Sequence, residues 1–195
     1  MRAAEPARTV WGLSLRSRIV IALIAAMIVT AKFYLRIPLH VPGHSGIFWM
    51  ALLLIGVGIV HRPGAGTLIG FLSGLLAIAV LPGREGILIG LKYFAPGLVM
   101  DVMWITFAGR FDKAAVAMLA GAAANIAKLS TSYVIGLLAG IPHGYLALGL
   151  GVAATSHLVF GALGGWVGSI VVRRLDRTGV IDRRPPSPQP EAKTA

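Results

Sequence analysis

The chain has no cysteine and few charges. Of its 195 residues only 13% are Asp, Glu, Lys or Arg, about half the roughly 25% of a soluble domain. The absence of cysteine excludes a disulfide-built secreted module. The shortage of charge excludes an ordinary cytosolic enzyme and a disordered chain, because neither could be kept in water by so few polar side chains. Two chemical signatures are also missing. No Gly-x4-Gly-Lys-Ser/Thr phosphate loop occurs, so ATP hydrolysis by that route is excluded, and no His-Glu-x-x-His zinc motif is present. What remains is apolar: 56% hydrophobic residues with a mean hydropathy of +0.81. That composition is expected of an all-α, polytopic membrane protein.

Six apolar stretches are long enough, or nearly so, to cross a bilayer, which takes roughly 20 residues and at least about 17. They run from Ile19 to Leu35, from Ile47 to Val60, from Thr67 to Leu81, from Ile87 to Ala108, from Ala114 to Gly140 and from Tyr145 to Val172. The second is short, reaching about 21 Å at about 1.5 Å per residue. Pro and Gly punctuate the turns His61-Arg-Pro-Gly, Pro82-Gly-Arg-Glu-Gly and Ile141-Pro-His-Gly. The runs do not alternate with period two, which excludes barrel strands. The expected organisation is a basic cytoplasmic tail over 1–18, a six-helix transmembrane domain over 19–172, and a basic, Pro-rich cytoplasmic tail over 173–195, disordered from about 183.

The net charge of +11 is a topology signal rather than a nucleic-acid signal. With the amino end inside, Arg2, Arg8, Arg16, Arg18, Arg62, Arg110, Lys113, Arg173, Arg174, Arg177, Arg183, Arg184 and Lys193 fall on the cytoplasmic side. Only Lys32, Arg36 and Arg84 fall outside, and Lys92 and Lys128 lie within spans. The bias fits an even number of spans with both termini cytoplasmic, its arginines touching anionic lipid. No single basic face of the kind that binds nucleic acid is present. The basic start and the run Ile19–Ala31 have the look of a signal peptide, but the charge balance reads this segment as an uncleaved helix.

Polar groups at membrane depth carry the functional expectation, since an ionisable side chain there costs at least roughly 2.5–3.5 kcal/mol and normally faces a cavity or a partner. Asn125, Lys128 and Ser132 share one face of the fifth span, with Thr131 and Tyr133 beside it. Lys92 and Tyr93 lie on the fourth, with Asp101 and Trp104 deeper, and His157 is central in the sixth. A purely structural pairing of Asp101 with Lys92 or Lys128 is the plain alternative. The loop Arg36–Gly46, with Pro38, His40, Pro42, Gly43 and His44, is read as an external gate followed at once by Trp49. His40 and His44 without a carboxylate or cysteine make no metal site, and no cofactor is expected. Small residues recur every four positions at Ala22, Ala26 and Thr30 and at Gly66, Gly70 and Gly74, and crowd at Gly161, Gly164, Gly165 and Gly168, the spacing by which membrane helices approach closely. An intramembrane serine protease using Ser73 and His157 is one alternative function, but Phe71 stands where such enzymes carry the glycine of Gly-x-Ser-Gly. A ligand-free structural membrane protein is another.

Taken together, six short helices, Ala22-x3-Ala26, the segment Arg62-Pro-Gly-Ala-Gly-x3-Gly70-x3-Gly74, Gly97-Leu-Val-Met-Asp101 and the ending Gly161-Ala-Leu-Gly-Gly165 … Thr178-Gly-Val-Ile181 resemble the substrate-binding S components of energy-coupling factor (ECF) importers. Within that family the chain looks most like S components linked to thiamin precursors such as hydroxymethylpyrimidine. The resemblance implies a non-enzymatic subunit in the plasma (inner) membrane of a prokaryote that captures a vitamin or precursor from outside. It implies a transmembrane coupling subunit and two ATPase subunits as partners, with Ala22, Ala26 and Thr30 as the docking face. It also implies that the stretch Pro38–Gly46 closes the site. The amino-terminal metal-binding histidine of the cobalt and nickel branch is absent, so a metal cargo is not expected. The residues themselves point the same way: Trp49, Lys92, Tyr93, Asn125, Lys128, Ser132, Tyr133 and His157 form the expected cargo site, aromatic faces stacking a heterocycle while Asn125 and Ser132 give directional hydrogen bonds.

Overall fold

The computed structural model describes residues 13–34, 44–80, 86–179 and 181. Every element among them is helical: α1 (Leu15–Tyr34), α2 (Gly46–Val60), α3 (Ala65–Val80), a 3-10 turn (Gly86–Gly90), α4 (Leu91–Thr106), α5 (Ala114–Leu138), α6 (His143–Leu148) and α7 (Leu150–Arg177). Among the described residues three segments are long and apolar enough to cross a membrane: Gly86–Thr106, Ala114–Leu138 and Leu150–Arg177. The apolar α2 and α3 are shorter.

The helices alternate in direction. Ala31 and Lys32 of α1 meet Ser45, Phe48 and Trp49 at one end, while Ile24 lies against Gly56 further along α2. Gly66 faces Gly97 and Gly74 faces Gly90, so α3 and α4 are antiparallel. Ala117 against Gly165 and Gly121 against Gly161 make α5 and α7 antiparallel as well. Gly164 against Ile47 and Val172 against Gly58 set α7 parallel to α2. One end of the bundle, here called basal, therefore holds the start of α1 and the end of α7 with Arg16, Arg18, Arg62, Arg110, Lys113, Arg173, Arg174 and Arg177. The opposite, distal end holds Lys32, the start of α2, Lys92, and the α5–α7 connection.

Glycine sets the tightest crossings. A Cβ on Gly66 or Gly70 would stand 2.6 Å from the carbonyl oxygens of Gly97 and Tyr93, and one on Gly121 or Gly165 would run into the backbones of Gly161 and Ala117. The small-residue spacing on α3 is thus packing within the bundle, as is the glycine cluster of α7. The apolar centre is filled by Ile28, Leu53, Leu54, Val57, Ile69 and Met100, all essentially inaccessible.

Three element boundaries depart from expectation. α1 starts at Leu15, inside the stretch read as a tail, because the Ser14 hydroxyl accepts a hydrogen bond from the Ser17 N–H (3.1 Å) and caps the helix. The run expected as a sixth helix from Tyr145 is two helices, interrupted at Gly149, where Gly144, Gly149 and Gly151 weaken helical propensity. α7 then continues to Arg177, its last turn carrying Arg174 and Arg177 where cations favour a helix C-terminus.

Candidate functional site

At the distal end α2, α4 and α5 bring three of the expected residues together. The Lys128 ammonium lies 4.6 Å from the centre of the Trp49 ring, and the Trp49 and Tyr93 rings are 6.1 Å apart and tilted by 59°. Trp49 and Tyr93 are buried; Lys128 is half-buried. Trp49 sits in the first turn of α2 because Gly46 opens that helix against Asn125: a Cβ at Gly46 would stand 2.5 Å from Asn125 Nδ2. Lys128 is one turn beyond Asn125 on α5, so both face α2.

Asn125 is fully buried and ties α5 to α7, its Nδ2 donating to the His157 carbonyl at 2.8 Å. The His157 ring in turn contacts the Ala153 carbonyl through Nδ1 at 2.8 Å. Two polar atoms here are left over. Asn125 Oδ1, an acceptor, and Trp49 Nε1, a donor, are buried without a hydrogen-bond partner among the described residues. An unsatisfied buried group costs about 1–3 kcal/mol, and the cavity beside Trp49 measures only about 20 Å³.

Ser132 and Tyr133 stand one turn further along α5 and line a different space. A cavity of about 510 Å³ lies between α5, α6 and the start of α7, walled by Leu129, Ser132, Tyr133, Tyr145, Leu146 and Leu150 among others. Leu146 of α6 packs over Gly136, and the His143 ring meets Tyr133 edge-on at 5.9 Å, so α6 forms one wall of this open cleft. Lys92 is half-buried in the first turn of α4, next to Tyr93.

Of the expected site residues, then, Trp49, Tyr93, Asn125, Lys128 and His157 form one connected group, Ser132 and Tyr133 belong to the neighbouring cavity, and Lys92 adjoins the group through the α4 backbone. Pro38, His40, Pro42 and Gly43 of the expected gate lie outside the described residues. His44 is within them, its carbonyl accepting from the Ile47 N–H at 3.4 Å. Ala22, Ala26 and Thr30 lie exposed on α1 with Ile19, Leu23 and Met27. Sequence reasoning missed Lys32, which lines a small cavity with Trp49; its place in the last turn of α1 was the available signal.

Asp101 is not a partner of Lys92, two and a half turns away on the same helix. Its carboxylate accepts from the Gly66 N–H (2.9 Å) and the Thr67 N–H (2.7 Å), capping α3 from α4. A negative charge at a helix N-terminus satisfies donors that the helix itself leaves open. Ser73 is buried on α3, a helix that does not pack on α7, so Ser73 and His157 form no dyad. Among the described residues no group of three or more His, Asp or Glu residues is placed to hold a metal.

The order and packing of the helices have a known counterpart. A crystal structure of an S component of an ECF transporter superposes with a TM-score of 0.63 over 86% of this chain and 88% of that one, at 20% identity. The fold is that of an ECF S component. No protein-family model matches the sequence, and no curated protein matches it. The likeness is one of fold, carried by helix order and packing.

Proposed function

We propose that the chain is the substrate-binding membrane subunit of an ECF-type importer. It would capture a small vitamin or vitamin precursor from outside, a thiamin-related pyrimidine being the narrowest form of that reading. What supports it most is one coincidence: within a fold shared with an ECF S component, the bundle carries a buried aromatic and cationic group at the end opposite its basic one. On this reading α1–α5 and α7 are the six spans, the basal end with both termini faces the cytoplasm of a prokaryotic cell, and the distal end faces outward. The cargo rests against Trp49, Tyr93, Asn125 and Lys128, and the loop carrying Pro38 to His44 closes above it. The subunit performs no chemistry on its cargo. Energy comes from a coupling subunit and two ATPases, the coupling subunit meeting the exposed α1 face of Ala22, Ala26 and Thr30, where small side chains let another helix approach.

The test is affinity purification of the tagged chain from its native membrane in mild detergent. Recovery of a membrane subunit together with two ATP-binding subunits supports the proposal; recovery of the folded chain alone, across a range of detergents and with nucleotide present or absent, contradicts it.

A further inference from the structure

The cleft between α5, α6 and α7 has a chemistry of its own. Its space of about 510 Å³ is lined by no charged residue, and its polar side chains are three, Ser132, Tyr133 and Tyr145. At about 30 Å³ each, about 17 waters would be needed to fill it, and a well-held water takes about three hydrogen bonds. Three hydroxyls anchor few of them. A polar small molecule would likewise find hydroxyls but no charge to fix its orientation. An apolar guest needs neither, and it supplies the dispersion contacts that the leucine walls otherwise forfeit.

Helix length sets the depth of the cleft. Ala153 in its wall lies about 30 Å along α7 from Arg173, and Tyr133 lies about 30 Å along α5 from Lys113. That is the thickness of a bilayer's hydrocarbon, about 30 Å. With the basal cations at one surface, Tyr133 and Ala153 reach the opposite boundary, where aromatic residues are favoured, and Leu129 lies about 6 Å deeper. The mouth opens onto surface that lipid covers. Leu148 of the lining is 86% exposed, and Val134 and Val152, next to Tyr133 and Ala153, are exposed as well.

The α6 wall is anchored at its start and adjustable elsewhere. The Ile141 N–H donates to the Gly136 carbonyl at 3.0 Å, and Leu146 packs on Gly136. Gly140, in a left-handed conformation (φ 80°), and Gly149 flank the helix with open space around them.

We infer that the cleft holds one acyl tail of a phospholipid from the distal leaflet. Its ester end lies at the level of Ser132, Tyr133 and Tyr145, and its methylenes run inward past Leu129. This rests on the chain crossing a bilayer and is independent of the importer reading.

The test uses the full chain in phosphatidylcholine vesicles doped with a phosphatidylcholine that carries a diazirine on one acyl tail. After illumination, adducts are mapped by peptide mass spectrometry. Labelling per residue over 129–133 and 145–153 should exceed by at least about fivefold that of Leu75 and Ile78, exposed at similar depth on α3. Ala153→Phe fills the cleft from α7 and Leu129→Trp fills it from α5. Each should bring cleft labelling down to the level on α3, and the second serves if the first does not fold. Even labelling of all exposed residues, or cleft labelling that persists in both filled variants, overturns the inference. So does a non-lipid small molecule that stays on the wild type in intact-mass measurements and is lost from Ala153→Phe, because the cleft then belongs to the cargo.

Discussion

The Lys128 ammonium stands 4.6 Å above the Trp49 indole, joining α5 to α2 at the distal end of the bundle. A cation–π contact of this kind contributes about 0.5–2 kcal/mol, more as water is excluded. It holds the two helices in register without filling the polar valences beside it. On the proposed function this contact is the resting arrangement that a guest rearranges.

Asn125 is expected to serve both folding and cargo. Asn125→Leu removes the bond to the His157 carbonyl and the unpartnered Oδ1 together, and presses on Gly46. Asn125→Asp keeps the size but cannot donate to that carbonyl. Both should lower bound cargo at least about tenfold, and both should cost about 1–3 kcal/mol of stability. Cargo retained at wild-type stoichiometry in either folded variant would remove Asn125 from the site.

Asp101 acts on stability alone. Asp101→Ala strips the cap from α3 and leaves the Gly66 and Thr67 N–H groups without their acceptor, a loss of about 1–3 kcal/mol read as a lower melting temperature. Cargo affinity measured below the transition should not change.

Glycines separate into two classes. Gly121→Val and Gly165→Val should prevent or badly weaken folding, because their Cβ atoms meet the backbone of the opposing helix. Gly151→Ala meets nothing within 4 Å in a helical segment and should be neutral or stabilising by up to about 1 kcal/mol. Comparison of the melts of these variants checks the α5–α7 crossing directly.

The α1 face should divide transport from binding. Ala26→Trp places a bulky ring on an exposed surface away from the distal site. Uptake in cells should fall to background while the purified variant keeps its cargo. Loss of both, or of neither, would move the docking face elsewhere.

The all-helical character and the order of the apolar segments were legible because the bilayer imposes a simple rule on apolarity. The glycine spacing on α3 was readable as close packing for the same reason. What escaped depended on three dimensions. Asp101 resembles an intramembrane ion-pair residue until the start of α3 is seen beside it. The break at Gly149 is hidden in a run that is apolar throughout. Lys32 looks like a boundary residue, and only the antiparallel pairing of α1 with α2 brings it to Trp49. Ser132 and Tyr133 share a helix with Lys128, yet the helical rotation turns Tyr133 toward α6 and away from the indole. Residues sharing a stretch of sequence therefore divided between the aromatic group and the α5–α6–α7 cavity.

The central claim is that the distal group of Trp49, Tyr93, Asn125 and Lys128 holds a guest. The most direct measurement is the intact mass of the protein after gentle extraction from cells that supply the cargo, compared between wild type and Lys128→Met. One small molecule per chain is expected on the wild type and is lost from the variant. A wild-type chain that is folded and consistently bare, or a bound mass unaffected by Lys128→Met, contradicts it.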